Sequence, residues 1–241
     1  TGTLALAGGT NVVTLVNGAD LGSATLTATG GSIDFTIATH GAVTLSIAQN
    51  ALLVAGTLTT AGSSQITFSG AGTATGDALI YQYTLPNGTN TFTLGAAAQR
   101  VIGNTGNDSV NIGGLTATGQ INLSAGADTI VATTGANISG MNSGGAANAE
   151  TLNLTGAITM TVAQHNGFTT AITAGGGSDQ ITLSDGGTVT AAAAIETYVL
   201  ANGTNSITLS STAGQNVTGN AGADALILNN STTYSGTLAL A

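Results

Sequence analysis

The sequence predicts an all-β protein, a parallel β-solenoid (β-helix or β-roll-like) built from tandem repeats, and three observations carry this reading. Short runs alternate apolar or small residues with Thr, Ser and Asn, the period-two signature of a strand with one buried face. The runs recur about every ten residues, with Gly, Asn or Asp between them. Long stretches of the chain also repeat one another, the mark of an array of stacked units.

The runs follow in order. They are SATLTAT at 23–29, DFTIAT at 34–39, QITF at 65–68, NTFTL at 90–94 and DSVNI at 108–112. QINL at 120–123, DTIVAT at 128–133, ETLNL at 150–154 and TMTVA at 159–163 continue the series. QITL at 180–183, SITL at 206–209 and ALIL at 225–228 close it. Each is rich in β-branched residues, which suit a pleated, half-buried surface. No segment reads as an amphipathic helix. AAAAIE at 191–196 comes nearest, but it aligns with GDALIY at 76–81 and runs into a strand, so strand is expected there.

Many short strands at even spacing fit either a solenoid or a string of β-sandwiches. The core must come from Ala, Val, Ile and Leu, because aromatics are 3% of the chain and Trp is absent. Small side chains suit the narrow interior of a solenoid. The lack of Trp and the single proline also point away from tandem sandwich domains.

The repeat is read directly. IYQYTLPNGTNTFTL at 80–94 matches IETYVLANGTNSITL at 195–209, an offset of 115. SSQITFSGAGT at 63–73 matches SDQITLSDGGT at 178–188, and VTLSIAQ at 43–49 matches ITMTVAQ at 158–164. QRVIGNTGND at 99–108 matches QNVTGNAGAD at 215–224 at an offset of 116. VTLVNGAD at 13–20 resembles INLSAGAD at 121–128, which sets an offset of 108 near the start. These matches suggest a first unit at 1–113, a second at 114–230 and the start of a further unit at 231–241. TGTLALA at 1–7 and SGTLALA at 235–241 differ at one position, so the chain is expected either to be cut from a longer tandem array or to stack end to end with itself, with the segment around 1–7 in a strand next to the end of another copy.

Charge narrows the function classes. Charged residues make up 5% of the chain, Arg100 is its only basic side chain, and the net charge is −9. Nucleic acid is therefore not an expected partner, since phosphate binding needs clustered Lys and Arg. No apolar run reaches the roughly 20 residues of a membrane-spanning helix, so membrane insertion is not expected. Cys is absent, and the chain opens without Met or a signal peptide, as a mature or excised segment would.

Five aspartates share one context, Gly, any residue, then Asp before an apolar run. They are Asp20 in NGADL, Asp108 in GNTGNDSV, Asp128 in SAGADTI, Asp179 in GGGSDQI and Asp224 in GNAGADAL. The context resembles the RTX nonapeptide G-G-x-G-x-D-x-apolar-x. That resemblance implies calcium between turns of a β-roll, held by Asp carboxylates and backbone carbonyls; calcium takes six to eight hard oxygens. Asn104 and Asn220 stand where the second glycine belongs, and Asp179 aligns with Ser64 in the first copy. Turn capping by each Asp is the alternative role. Strings such as IETYVL and AETLNL beside NGTNSITL and GNAGAD also resemble repeats of bacterial surface-layer proteins and RTX adhesins. This implies secretion to the cell surface, calcium-assisted folding and assembly with copies of itself into a lattice, sheath or filament. The rival role is a stalk or ligand-binding segment of an adhesin that takes a surface glycan or receptor.

Catalysis is not expected. His40 and His165 lie in segments that read as turns, and no G-x-S-x-G elbow is present. Thr-rich runs such as TLTAT would suit ice or glycan binding, but Thr is equally an ordinary strand residue.

Overall fold

The computed structural model describes residues 2–37, 40–60, 62–141, 151–168, 171–210, 214–228 and 234–240. Thr1 and Ala241 of the terminal heptapeptides, and Glu150 of ETLNL, lie outside the described residues. Among the described strands every pairing is parallel and in register. Hairpin-linked sandwich sheets pair antiparallel, so the fold is the β-solenoid and not a string of sandwiches.

The chain divides into two compact units, Thr1–Asn111 with Gly119–Asp128, and Ile112–Thr118 with Thr129–Ala241. In the first unit, Thr3–Leu6 pairs with Thr25–Ala28, and Gly9–Leu15, Gly31–Ile37 and Leu58–Thr60 form a second stack. Ala42–Leu45, Gln65–Phe68, Gln82–Thr84, Arg100–Ile102 and Ile121–Asn122 form a third. Thr73–Thr75, Asn90–Thr93 and the start of Asp108–Gly113 form a fourth. In the second unit, Thr129–Thr133, Thr151–Thr155 and Ala171–Ala174 stack together. Ala157–Met160, Gln180–Leu183, Thr197–Val199, Asn216–Thr218 and Leu238–Ala239 form another stack, beside Gly187–Thr190, Asn205–Thr208 and Asp224–Ile227.

Alternation decides what points inward. Ile66 and Phe68, Val110 and Ile112, and Ile181 and Leu183 are buried, while their neighbours Thr67, Asn111 and Thr182 are partly exposed. Burial of such side chains is the main favourable term in holding the coils. The interior is not wholly aliphatic. Phe68, Tyr83 and Phe92 pack in the first unit, with ring centroids 5.6 Å apart for Phe68–Tyr83 and 4.7 Å for Tyr83–Phe92. The Tyr83 hydroxyl accepts the Asp77 N–H at 2.8 Å, and the Tyr198 hydroxyl accepts the Ala192 N–H at 2.8 Å in the second unit.

Two helices break the all-strand expectation: α1 (Ile47–Ala55) and α2 (Val162–Gly167). Each opens on a reciprocal capping box, Ser46 with Gln49 and Thr161 with Gln164, which satisfies two otherwise orphaned N–H groups. The capping glutamines are buried, and their amides also donate to carbonyls of the preceding coil. Gln49 reaches Leu21 and Ala24 at 2.6 and 2.8 Å, and Gln164 reaches Ile138 at 2.6 Å. His165 is thus a buried residue of α2 rather than part of a turn, whereas His40 is exposed in a bend. The segment 191–196 is neither helix nor strand. Its Ile195 N–H donates to the Ala192 carbonyl at 3.1 Å in a turn, and the strand begins only at Thr197.

The register near the start also differs from the expected offset of 108. Gly18, Ala19, Leu21 and Ala24 make the same backbone bonds as Gly135, Ala136, Ile138 and Met141: Gly18 to Ala42 and Gly135 to Ala157, Ala24 to Leu21 and Met141 to Ile138. The structural offset is therefore 117, and it pairs Asp20 with Asn137 and Asn11 with Asp128. VTLVNGAD and INLSAGAD resemble each other in wording but occupy different faces of the coil.

Candidate functional site: a buried Asn–Asp corner ladder

The motif Gly103-Asn104-Thr105-Gly106-Asn107-Asp108 and its copy Gly219-Asn220-Ala221-Gly222-Ala223-Asp224 turn a corner of the solenoid. Each position of the motif has an identifiable task. Gly106 has φ +135° and Gly222 φ +141°, which an L side chain rarely adopts. A Cβ on either would overlap the carbonyl of the corner glycine one coil earlier, Gly88 or Gly203. The Asn104 amide donates to the Leu85 carbonyl at 2.8 Å, and the Asn220 amide to the Leu200 carbonyl at 2.6 Å. Gly103 and Gly219 leave room for the second carboxylate oxygen of Asp108 and Asp224.

The aspartates continue a ladder that asparagines begin. The Gly72 N–H donates to Asn90 Oδ1 at 3.3 Å, the Asn90 N–H to Asp108 Oδ1 at 3.1 Å, and the Asp108 N–H to Asp128 Oδ1 at 2.8 Å. Side-chain oxygens on successive coils thus accept the backbone N–H of the coil before. Asn90 Nδ2 adds bonds to the Pro86 and Gly88 carbonyls and to Asp108 Oδ1, at 2.9, 3.0 and 2.8 Å. In the second unit, Asn205 Nδ2 binds the Ala201 and Gly203 carbonyls and Asp224 Oδ1 at 2.8, 3.2 and 2.7 Å. Asn11 donates to the Ala7 and Gly9 carbonyls in the same pattern.

The five sequence-predicted aspartates therefore separate. Asp108 and Asp128 sit on consecutive coils of one ladder and are buried. Asp224 holds the equivalent place in the second unit and is partly exposed. Asp179 is buried at another corner, where it accepts the Gly156 N–H, while its own N–H donates to Glu196 Oε2 at 2.9 Å. Its counterpart Ser64 is equally buried and donates to the Gly62 carbonyl at 3.0 Å. Asp20 is exposed and caps its own turn through the Gly22 N–H at 2.8 Å.

Burial raises the Asp108 carboxyl above the usual range, while the two Asn90 donors act in the opposite direction. The Oδ2 atoms of Asp108, Asp179 and Asp224 are buried without a hydrogen-bond partner among the described residues. No three His, Asp or Glu side chains converge among the described residues. Burial also lowers His165, whose Nε2 lies 3.1 Å from the Tyr198 hydroxyl. That hydroxyl also accepts the Ala192 N–H, so it joins the buried imidazole to the backbone of the turn at Ala192.

Asn11, Asn90, Asn205, Gln99 and Gln215 are the ordering residues that the aspartate motif does not reveal. Gln99 Nε2 donates to the Ile80 carbonyl at 3.0 Å, and Gln215 Nε2 to the Ile195 carbonyl at 2.8 Å. The available signal was NGTN at 87–90 and 202–205, where Gly-x-Asn takes the place of Gly-x-Asp before a strand. No family model matches this chain, nor does any curated protein or solved structure.

Proposed function

We propose that the chain is a structural segment of a secreted bacterial cell-surface protein, one that associates with copies of itself as a lattice, sheath or filament element. The observation that carries this reading is the repeated use of buried polar groups. The same Asn, Asp, Gln and Tyr side chains recur at matching places in the two units, and each is spent on a backbone group or a polar side chain of its own or an adjacent coil. Groups spent in this way give rigidity, which suits a spacer or lattice element. Sparse charge supports close packing between copies, because few charges need desolvation at an interface. Sedimentation and electron microscopy of the purified chain test the reading. Ordered assemblies are expected; a monomer at every concentration would refute it. Surface labelling of intact source cells tests the location.

Calcium enters through one observation, the unbonded Oδ2 atoms of Asp108, Asp179 and Asp224. A proton or a cation can serve a buried carboxylate oxygen of this kind. If calcium serves it, the melting temperature rises with calcium concentration by mass action. Identical melting in calcium and in chelator assigns the proton.

A further inference from the structure

The one cation of the chain stands on the outer face of the first unit without a carboxylate partner. Arg100 opens the strand Arg100–Ile102, in the middle of a stack of parallel strands. Its guanidinium lies 5.7 Å from the centroid of the Tyr81 ring, and its Nη2 donates to Gln120 Oε1. These two contacts hold the planar fork in place, and among the described residues no carboxylate pairs with it. Leu79 and Tyr81 are 56% and 40% exposed there, and they line a shallow groove with Ala98 and Gln99. Arg and Tyr together on an open face are the residues that anchor protein interfaces. The matching face of the second unit carries the opposite charge. The Arg100 N–H donates to the Tyr81 carbonyl at 2.9 Å and the Asn216 N–H to the Glu196 carbonyl at 2.7 Å, so Asn216 takes the place of Arg100 and Glu196 the place of Tyr81. Glu196 accepts the Asp179 N–H through Oε2, which anchors its carboxylate, and no other side-chain bond engages it among the described residues.

We infer that Arg100 is the centre of a contact between two copies of this chain, in which the Tyr81–Arg100 face of one copy receives Glu196 of the other. Charge argues for this occupant. Ten acidic side chains stand against Arg100 alone, so two copies repel each other except where the guanidinium meets a carboxylate. The fork offers parallel N–H groups that suit both oxygens of a carboxylate, and a fork already held by Tyr81 and Gln120 loses little freedom on pairing. Both faces are built on equivalent parallel stacks, so their rows share one spacing of about 4.8 Å and can lie against each other in step. Each copy carries one half of each kind. The contact therefore closes reciprocally between two copies or passes onward from copy to copy. This inference rests on the self-association reading and names its contact.

The absence of lysine makes the test direct. The full chain carrying Arg100→Lys, mixed from isotope-labelled and unlabelled protein, is treated with a carbodiimide, which joins an amine to a carboxylate with no spacer. Mass spectrometry should find the new lysine amide-linked to Glu196 in peptide pairs of mixed label. In sedimentation, Arg100→Glu and Glu196→Arg should each weaken association several-fold, and an equimolar mixture of the two proteins should restore it. Glu196→Gln keeps an acceptor for the Asp179 N–H, so it should weaken association at an unchanged melting temperature, a readout that does not depend on how Glu196→Arg folds. No such amide, or cross-links only within one label, overturns the contact. Assemblies that Arg100→Glu leaves intact keep self-association standing and remove this contact, while monomers in every version, the parent included, remove both. Binding of polygalacturonate that needs Arg100, by copies that stay apart, gives the cation to an acidic glycan and overturns the pairing.

Discussion

Asp108 shows what a buried carboxylate does in this fold. Its Oδ1 accepts from the backbone and the side chain of Asn90, and both donors are buried. Asp108→Ala leaves the buried Asn90 N–H unserved, while Asn90 Nδ2 keeps the Pro86 and Gly88 carbonyls, and should cost about 1–3 kcal/mol. Asp108→Asn keeps an acceptor at Oδ1 and removes a buried charge, and Asn90 and Asn205 already fill this ladder position elsewhere. It should therefore leave stability unchanged or higher at neutral pH. Because the folded carboxyl is raised, the native state binds its proton before the unfolded chain does. Its ionisation then costs stability as pH rises through the carboxylate range, and Asp108→Asn should abolish that slope. Thermal melts of the three proteins across acidic pH check both points; a calcium-dependent loss in Asp108→Asn would instead favour a metal ligand.

His165 responds in the opposite direction. Its folded state is held neutral by burial, so the stability it contributes is complete above its ordinary value of 6.5 and is lost as pH falls below it. His165→Asn, which installs the residue found at the matching position Asn50, should flatten melting temperature against pH in that window. An unchanged slope would remove His165 as the cause.

The helices show how a coil is tied to its neighbour. α1 and α2 follow equivalent strands, Ala42–Leu45 and Ala157–Met160, and each begins with a residue that caps and a glutamine that bridges. Thr161→Ala removes the N-cap acceptor and frees the N–H of Gln164, at an expected cost of about 1 kcal/mol. Gln164→Ala should cost more, because the bridge to the Ile138 carbonyl and the acceptor for the Thr161 N–H vanish together. Chemical denaturation of the two variants checks the order; equal losses would mean that the bridge adds nothing beyond the cap. These helices were legible in part: Ser-x-x-Gln and Thr-x-x-Gln are capping-box spellings, while the residues after them alternate too weakly to announce a helix.

Among the described residues, one repeating plan combines an apolar interior of aliphatic and a few aromatic side chains with polar corners. Calcium, if it serves the buried carboxylates, must raise the melting temperature of the full chain. The comparison of calcium with chelator is therefore the broadest single measurement, and its outcome bears on Asp108, Asp179 and Asp224 together. In a stacked array each coil contacts only its neighbours, so destabilisation at one ladder position should spread along the stack. Hydrogen exchange of Asp108→Ala should show the largest loss of protection at Asn90 and Asp128, the adjacent rungs, and little change at Asn205; uniform loss would argue against nearest-neighbour coupling.

The sequence by itself determined the parallel solenoid, the inward side of strands such as Gln65–Phe68, Asp108–Gly113 and Gln180–Leu183, and the recurrence of long matched segments. These depend on local features: period-two alternation, glycine at corners, and small apolar side chains that fill a narrow interior. Asp108 and Asp128 stand 20 residues apart in the sequence, which the ladder shows to be one coil. Only the tertiary structure decided that Asn11, Asn90 and Asn205 hold the same kind of corner place as Asp108, Asp128 and Asp224, that Asp20 stands outside, and that the register near the start is 117 rather than 108. The physical reason is coil length. Rungs of the ladder are 18, 20 and 19 residues apart at Asn90–Asp108, Asp108–Asp128 and Asn205–Asp224. A side chain's partner is therefore set by how many residues each corner consumes. That number is fixed by three-dimensional packing of glycine against the carbonyl of the coil before, and no local pattern in the chain records it.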